Sequence, residues 1–173
     1  VLQYDDVLNR HRDTMYRKRR EILEAGMAEE ERKTRDIVMG MITSEIEVVV
    51  AFHTNPTDNS SDAFNTGQKT VQSEGMIDGW NVGEIYETVR TVFPFGEKDK
   101  EALFHVARSR RGNTIGDVEA REQIVTLLLD RVRAEYDAME ERIIGSLPSK
   151  DDGRRLMREI EKSVLLRAID MLW

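Results

Sequence analysis

The sequence lacks cysteine and contains few prolines, few aromatic residues and no long apolar run. Because none of the 173 residues is cysteine, disulfide bonds, thiol catalysis and thiolate metal sites are excluded. Aromatic residues make up 6% of the chain and only three residues are proline, which favours long amphipathic helices over a β-sandwich or barrel. The longest apolar run, residues 48–52, is far shorter than a membrane span. These absences predict a helix-rich chain without sulfur chemistry.

Charged residues are abundant, but positive charge is not concentrated in one place. The chain carries 33 acidic and 26 basic residues, which gives a net charge of -7. Binding to nucleic-acid phosphates requires clustered positive charge. The densest basic run, residues 17–20, is followed by Glu21 and Glu24, which are spaced to pair with it on one helix. The sequence therefore disfavours a nucleic-acid partner.

Both ends of the sequence have the pattern of helix interiors. The chain starts with Val1 rather than Met, and no capping residue precedes its first apolar position. It stops at Trp173 with no glycine or asparagine after the last apolar position. Helix ends normally carry such caps. We therefore expect the chain to be a piece of a longer protein.

Apolar residues recur at helical spacing along most of the chain. Asn81 and Glu84 have the spacing of a capping box and predict the start of a helix, and residues 114–117 are a candidate cap for a later one. Gly145 and Pro148 separate the last two helices. Their predicted apolar faces are Val118, Val125, Leu128, Val132, Tyr136, Met139 and Ile143 in the first, and Leu156, Ile160, Val164, Leu165, Ile169 and Leu172 in the second.

The order of these segments predicts a nested, all-α fold. In this interpretation the first helical region (residues 1–40) and the last (residues 148–173) are long antiparallel scaffold helices. A smaller helical subdomain (residues 41–147) is inserted between them. Within the insertion, residues 53–79 are rich in Asn, Ser, Thr, Asp and Gly, a composition typical of a flexible segment.

No catalytic constellation is evident in the sequence. The three histidines, His11, His53 and His105, lie in separate segments. None has a carboxylate three residues before it, the spacing found in helical di-metal sites. The chain has no glycine-rich loop ending in Lys-Ser or Lys-Thr, so nucleotide binding through a P-loop is excluded.

Carboxylate pairs are the remaining enzymatic signal. Glu119 and Glu122, and likewise Asp137 and Glu140, stand three residues apart on one predicted helix. All-α nucleotide pyrophosphatases bind magnesium through such pairs on facing helices. In a chain with 33 acidic residues this spacing arises freely, so surface acids are the favoured interpretation and a magnesium-dependent pyrophosphatase is the weaker alternative.

The two ends of the chain resemble a known family. Residues 2–12 (LQYDDVLNRHR), followed by ILE at 22–24, resemble the start of the helical scaffold domain of SecA, the ATPase motor of bacterial preprotein translocation. Residues 161–173 (EKSVLLRAIDMLW) resemble the returning scaffold helix, which leads into a two-helix finger in that family. The middle, including WNVG at 80–83, is similar in plan to the helical wing domain inserted in the scaffold. Residues 53–79 have no counterpart there.

The resemblance implies a mechanical role. In the family the scaffold contacts the motor domains, the preprotein cross-linking domain, the finger and the wing. The whole protein is cytoplasmic, associates peripherally with the membrane, and acts on preproteins at the Sec channel. ATP and magnesium bind the motor domains, so we expect no cofactor, metal or catalytic residue in this chain. The candidate contacts with other domains are Tyr4, Asp5, Asp6, Leu165, Leu166, Ile169, Leu172 and Trp173.

A free-standing helical adaptor, built on an antiparallel coiled coil, is the alternative from a different functional class. The uncapped ends argue against it, because an independent module normally supplies its own helix caps.

The scaffold interpretation predicts that the purified chain neither binds ATP saturably nor hydrolyses it. Isothermal titration calorimetry and phosphate release measure the two properties. Magnesium-dependent nucleotide hydrolysis that disappears on Glu119→Gln and Glu122→Gln would instead support the pyrophosphatase.

Overall fold

The computed structural model describes residues 2–27, 33–55 and 75–172. These residues are almost entirely helical, and the all-α prediction is confirmed. None of the helices in these ranges is long and apolar enough to cross a membrane. The elements are α1 Leu2–Met27, α2 Lys33–His53, β1 Met76–Ile77, β2 Trp80–Asn81, α3 Val82–Arg90, α4 Glu97–Arg108, α5 Thr114–Gly145 and α6 Lys150–Leu172.

The chain divides into two compact units. The first comprises Val1–Ile42 and Ala138–Trp173, and the second comprises Thr43–Asp137. The division passes through α2 and α5, so each of these helices contributes to both units. The sequence interpretation put its boundaries after residues 40 and 147, and that assignment of scaffold and wing stays a prediction.

The core of the first unit is an apolar seam between α1 and α6. Met15 and Ile22 of α1 pack with Leu165 and Ile169 of α6, and each of the four is at most 7% exposed. Spacings of seven and four residues place each pair on one face of its helix. The partly buried residues at the edge of the seam are Ile37, Val38 and Leu166.

In the first unit, the chain through α1 and the start of α2 runs antiparallel to α6. Arg19 of α1 pairs with Asp170 near the end of α6, whereas Thr34 of α2 donates a hydrogen bond to Glu161. Residues further along α1 and α2 therefore contact earlier residues of α6.

Helix α6 comes very close to α5 at Gly153. A Cβ atom at this position would lie 2.7 Å from both the Cα and the carbonyl oxygen of Ile144. Ser149 stands just before α6, and its Oγ accepts the Asp152 N–H at 3.4 Å. Only glycine allows the two backbones to approach this closely.

A buried tryptophan of the second unit is contacted by two arginines. The Trp80 side chain is 2% exposed, and the guanidinium carbons of Arg110 and Arg121 lie 4.4 and 5.4 Å from its ring centre. Arg121 also donates from Nε and Nη2 to the hydroxyl and carbonyl oxygens of Thr54, each at 2.8 Å. The same guanidinium thus contacts Trp80 and satisfies a carbonyl just beyond the end of α2.

A short hairpin brings Trp80 to this position. Strands β1 and β2 pair antiparallel, and the turn residues Asp78 and Gly79 have φ angles of 44° and 84°, as a type I′ turn requires. The Asn81 side chain then accepts the Glu84 N–H at 3.2 Å, which confirms the predicted start of α3. Each strand is only two residues long, too short for a periodic signal.

The polar segment predicted as flexible, residues 53–79, is described only at its ends. His53 is the last residue of α2, and residues 76–77 form β1. Residues 56–74 lie outside the described residues.

The apolar face predicted for α5 is partly wrong. Leu128, Val132 and Tyr136 are buried as predicted, but Val118 is 47% exposed. The buried face continues instead through Ile124, Ala120 and Gly116. Because alanine and glycine have little or no apolar side chain, Ala120 and Gly116 contribute little to a hydrophobic pattern. The start of the helix is also capped one position earlier than predicted, because Asn113 Oδ1 accepts the Gly116 N–H at 2.7 Å.

Gly153→Ala should lower the free energy of unfolding by about 1–2 kcal/mol. The added methyl overpacks the contact with Ile144, and better helix propensity offsets only about 1 kcal/mol of that cost. Gly40→Ala is the matched control, since nothing lies within 4 Å of the added methyl in α2, and it should stabilise by about 0.5–1 kcal/mol. Urea denaturation followed by circular dichroism measures both. Equal stabilisation by the two changes would contradict the close approach.

Candidate interdomain contact surface

Helix α6 carries two stripes of residues, and each residue of the outer stripe directly precedes a residue of the inner stripe in the sequence. The inner stripe faces the seam and consists of buried residues at every fourth position: Gly153, Met157, Glu161, Leu165 and Ile169. The outer stripe consists of Leu156, Ile160 and Val164, which are 41%, 37% and 57% exposed. Residues four apart share one face of a helix, so the outer stripe is a continuous apolar strip on the surface of the first unit.

The outer stripe corrects the sequence interpretation of α6. Leu156, Ile160 and Val164 were predicted to lie on the buried face together with Leu165 and Ile169. The structure buries Leu165 and Ile169 and exposes the other three. Exposed apolar strips of this kind are typical of contact surfaces, so the sequence missed these three as candidate contact residues.

The predicted contact residues fall into two groups. Leu165 and Ile169 are 3% and 6% exposed and belong to the seam, and Leu166 packs at its edge. The side chains of the other five lie outside the described part of the chain. Four of these residues lie within helical backbone, namely Tyr4, Asp5, Asp6 and Leu172. Trp173 lies outside the described residues altogether. Contact of any of the eight with another domain stays a prediction.

A polar cavity of about 270 Å³ adjoins the inner stripe. On its wall Arg35 Nη1 lies 2.8 Å from Glu140 Oε2, with both side chains about a quarter exposed. Glu161 also lines it and is only 5% exposed. Thr34, 2% exposed, donates its hydroxyl hydrogen to Glu161 Oε2. The residues around the cavity are Arg35, Glu140, Ile144, Arg154, Met157, Arg158 and Glu161.

A second cavity, of about 240 Å³, opens between α1 and the end of α6. Met15 and Ile169 supply its apolar wall, and the ion pair of Arg19 and Asp170 lies at its edge. Tyr16 borders the same cavity and is 61% exposed. The cavity therefore has an apolar wall and a charged edge on the first unit.

One arginine of the basic run of α1 pairs within its own helix as the sequence predicts, while Arg19 pairs with Asp170 of α6. Arg20 Nε donates to Glu24 Oε1 at 2.7 Å, and this hydrogen bond, with the Glu24 charge, raises the pKa of the Arg20 guanidinium. Both side chains are exposed, as in an ordinary solvated helix face.

The carboxylate pairs do not form a metal centre in the part of the chain that the structure describes. Glu119 and Glu122 line a groove of about 590 Å³ on the surface of α5 together with Asp130. Glu140 instead pairs with Arg35. Within residues 2–27, 33–55 and 75–172, no group of three or more His, Asp or Glu side chains is arranged to hold a metal ion.

Comparison with known proteins finds one matching family model and relatives that share one name. A protein-family model described as SecA Wing and Scaffold domain matches residues 1–173. The chain is 27% identical over 177 residues to the protein translocase subunit SecA of Kineococcus radiotolerans. It is 30% and 31% identical over 173 residues to the subunits of the same name from Rhodococcus opacus and Rhodococcus jostii. These alignments cover all of this chain but only 14–15% of each relative. No solved structure matches the chain.

Leu165→Ala should lower the free energy of unfolding by about 2–4 kcal/mol, because it removes a buried side chain from the seam. Val164→Ala, one position away and 57% exposed, should change it by less than about 0.5 kcal/mol. Thermal and urea unfolding of the two variants measure the difference. Similar losses in both would contradict the assignment of Val164 to the outer stripe.

Proposed function

The chain belongs to the SecA wing and scaffold domain family, and from that membership we propose that it is the scaffold and wing portion of an ATP-driven motor for bacterial preprotein export. The family match over residues 1–173 supports a role in protein translocation. The chain spans about one seventh of the length of its relatives, 14–15% in each. ATP hydrolysis with bound magnesium, preprotein binding and contact with the Sec channel are therefore proposed for the parent protein, at the cytoplasmic face of the membrane, and not for this chain alone.

The proposed role of this chain is to couple the motor domains to the parts that engage the polypeptide. The observation that carries it is the outer stripe of α6. Its three aliphatic side chains keep 37–57% of their surface exposed, and covering the remainder would contribute on the order of 1 kcal/mol each. Since Leu165 and Ile169 are already used in the seam, the outer stripe is the face of α6 available to another domain.

Two helices give the coupling a physical route. Because α2 and α5 each contribute to both units, a change imposed on one unit would pass to the other through helical backbone. The N-terminal candidates extend the proposed surface: the carboxylates of Asp5 and Asp6 would accept hydrogen bonds from motor-domain donors, and Tyr4 would add an apolar ring with a hydroxyl. These contacts stay predictions.

The other functional classes receive less support. The family match over the whole chain favours a part of a translocase over a free-standing adaptor. Glu119 and Glu122 line a surface groove of α5. Among the described residues they do not belong to a group of side chains that could hold a metal ion, so the structure does not support the pyrophosphatase alternative.

Replacing Leu156, Ile160 and Val164 together by Ser in the full-length parent protein should lower preprotein translocation about fivefold or more, because the loss of even about 1 kcal/mol of contact free energy weakens an interdomain contact about fivefold. The chain itself should stay folded, because the three positions are exposed. Import of a preprotein into inverted membrane vesicles and circular dichroism of the isolated chain measure the two effects.

In the matched control, Ser replaces Val92 and Ile115. These two residues of the second unit are 72% and 71% exposed. This variant should translocate normally. Full translocation by the outer-stripe variant would contradict the proposed coupling surface.

A further inference from the structure

The inner stripe of α6 contains a charged residue where an apolar one would be expected. Glu161 lies between Met157 and Leu165 on the buried face and is 5% exposed. Burying a carboxylate is costly unless it is well hydrogen-bonded. The outer stripe has Leu156, Ile160 and Val164 at the same four-residue spacing and contains no charge.

Hydrophobic burial alone does not decide which of these stripes faces α1. Rolling α6 by about 100°, the angle between successive residues of a helix, would turn the outer stripe toward the seam. The inner stripe would then offer Met157, Leu165 and Ile169 to solvent, and the outer stripe would bury Leu156, Ile160 and Val164. The two stripes offer three aliphatic or thioether side chains each, so other interactions must select the observed arrangement, and the close approach of Gly153 to Ile144 is one of them.

The hydrogen bond between Thr34 and Glu161 has the properties required for that selection. Thr34 is 2% exposed and lies in the first turn of α2, where the helix dipole favours a nearby carboxylate. Hydrogen bonds are directional, and a roll of α6 would carry Glu161 away from this hydroxyl. Thr34 would then be left buried without this acceptor, which is unfavourable.

We propose that Glu161 is a positioning residue, whose hydrogen bond to Thr34 selects the face that α6 turns toward the seam and thereby keeps the outer stripe available to a partner domain. The inference rests on the proposed function only in assigning a use to the outer stripe. Gly153 and the Arg19–Asp170 pair hold the two ends of α6, while Glu161 acts in the middle, beside the outer stripe.

The absence of cysteine makes a direct test straightforward. Val164→Cys and Leu165→Cys are made separately in the 173-residue chain, and each thiol is labelled with a maleimide under native conditions. Because residues 164 and 165 are 57% and 3% exposed, the thiol at 164 should react at least about tenfold faster, the buried one reacting only through local opening.

Adding Thr34→Val should lower the ratio of the two labelling rates at least about threefold, since it removes the donor hydroxyl and leaves the Glu161 carboxylate buried without that hydrogen bond, which favours turning Glu161 toward solvent. Glu161→Gln can still accept the hydrogen bond and should keep the tenfold ratio. Glu159→Leu, an exposed acid on α6 that pairs with Lys162, is the matched control and should also keep it.

A tenfold ratio that persists in folded Thr34→Val would overturn the proposal. If that variant loses its helical circular dichroism signal, Thr34→Ala decides, because it removes the same hydroxyl and leaves a smaller side chain; an unchanged ratio there overturns the proposal as well. The labelling assay involves no motor domain or preprotein. It can therefore fail while the translocation experiment succeeds, and the reverse also holds.

Discussion

The packing of α6 against α1 and the first turn of α2 is the contact on which the first unit depends. Its apolar part, formed by Met15, Ile22, Leu165 and Ile169, supplies the driving force through burial. That force is not directional, and α6 has a second apolar stripe that would serve nearly as well. The direction comes from the hydrogen bond between Thr34 and Glu161 and from the close approach of Gly153 to Ile144. The surface left to solvent follows from that choice.

The second unit achieves its order with a different kind of interaction. There the buried Trp80 ring is flanked by Arg110 and Arg121, and Arg121 reaches on to the hydroxyl and carbonyl of Thr54. Guanidinium groups stack on aromatic rings and donate in their own plane at the same time. A single side chain can thus join a hairpin, a helix end and a long helix.

Sequence reasoning succeeded where the signal is local. The cap at Asn81 and the end of α5 at Gly145 were predicted correctly, because capping depends on residues within one helical turn. It failed at Val118 and at Leu156, Ile160 and Val164, which were assigned to buried faces and are exposed. In both helices the true face runs through small or charged residues, such as Ala120, Gly153 and Glu161. Hydrophobic periodicity gives these residues little or no weight.

By itself, the sequence determined that the chain is helical, where several helices begin and end, and which family its two ends resemble. The helical content and the helix ends follow from composition, periodicity and capping, all of which act over short stretches of chain, and the resemblance rests on the residues of the two ends themselves. Only the tertiary structure decided which stripe of α6 is buried and which is left for contact. The two stripes have the same spacing and the outer one is the more apolar, and the residues that favour burial of the inner one, Thr34 and Ile144, come from other helices. No local pattern contains that information.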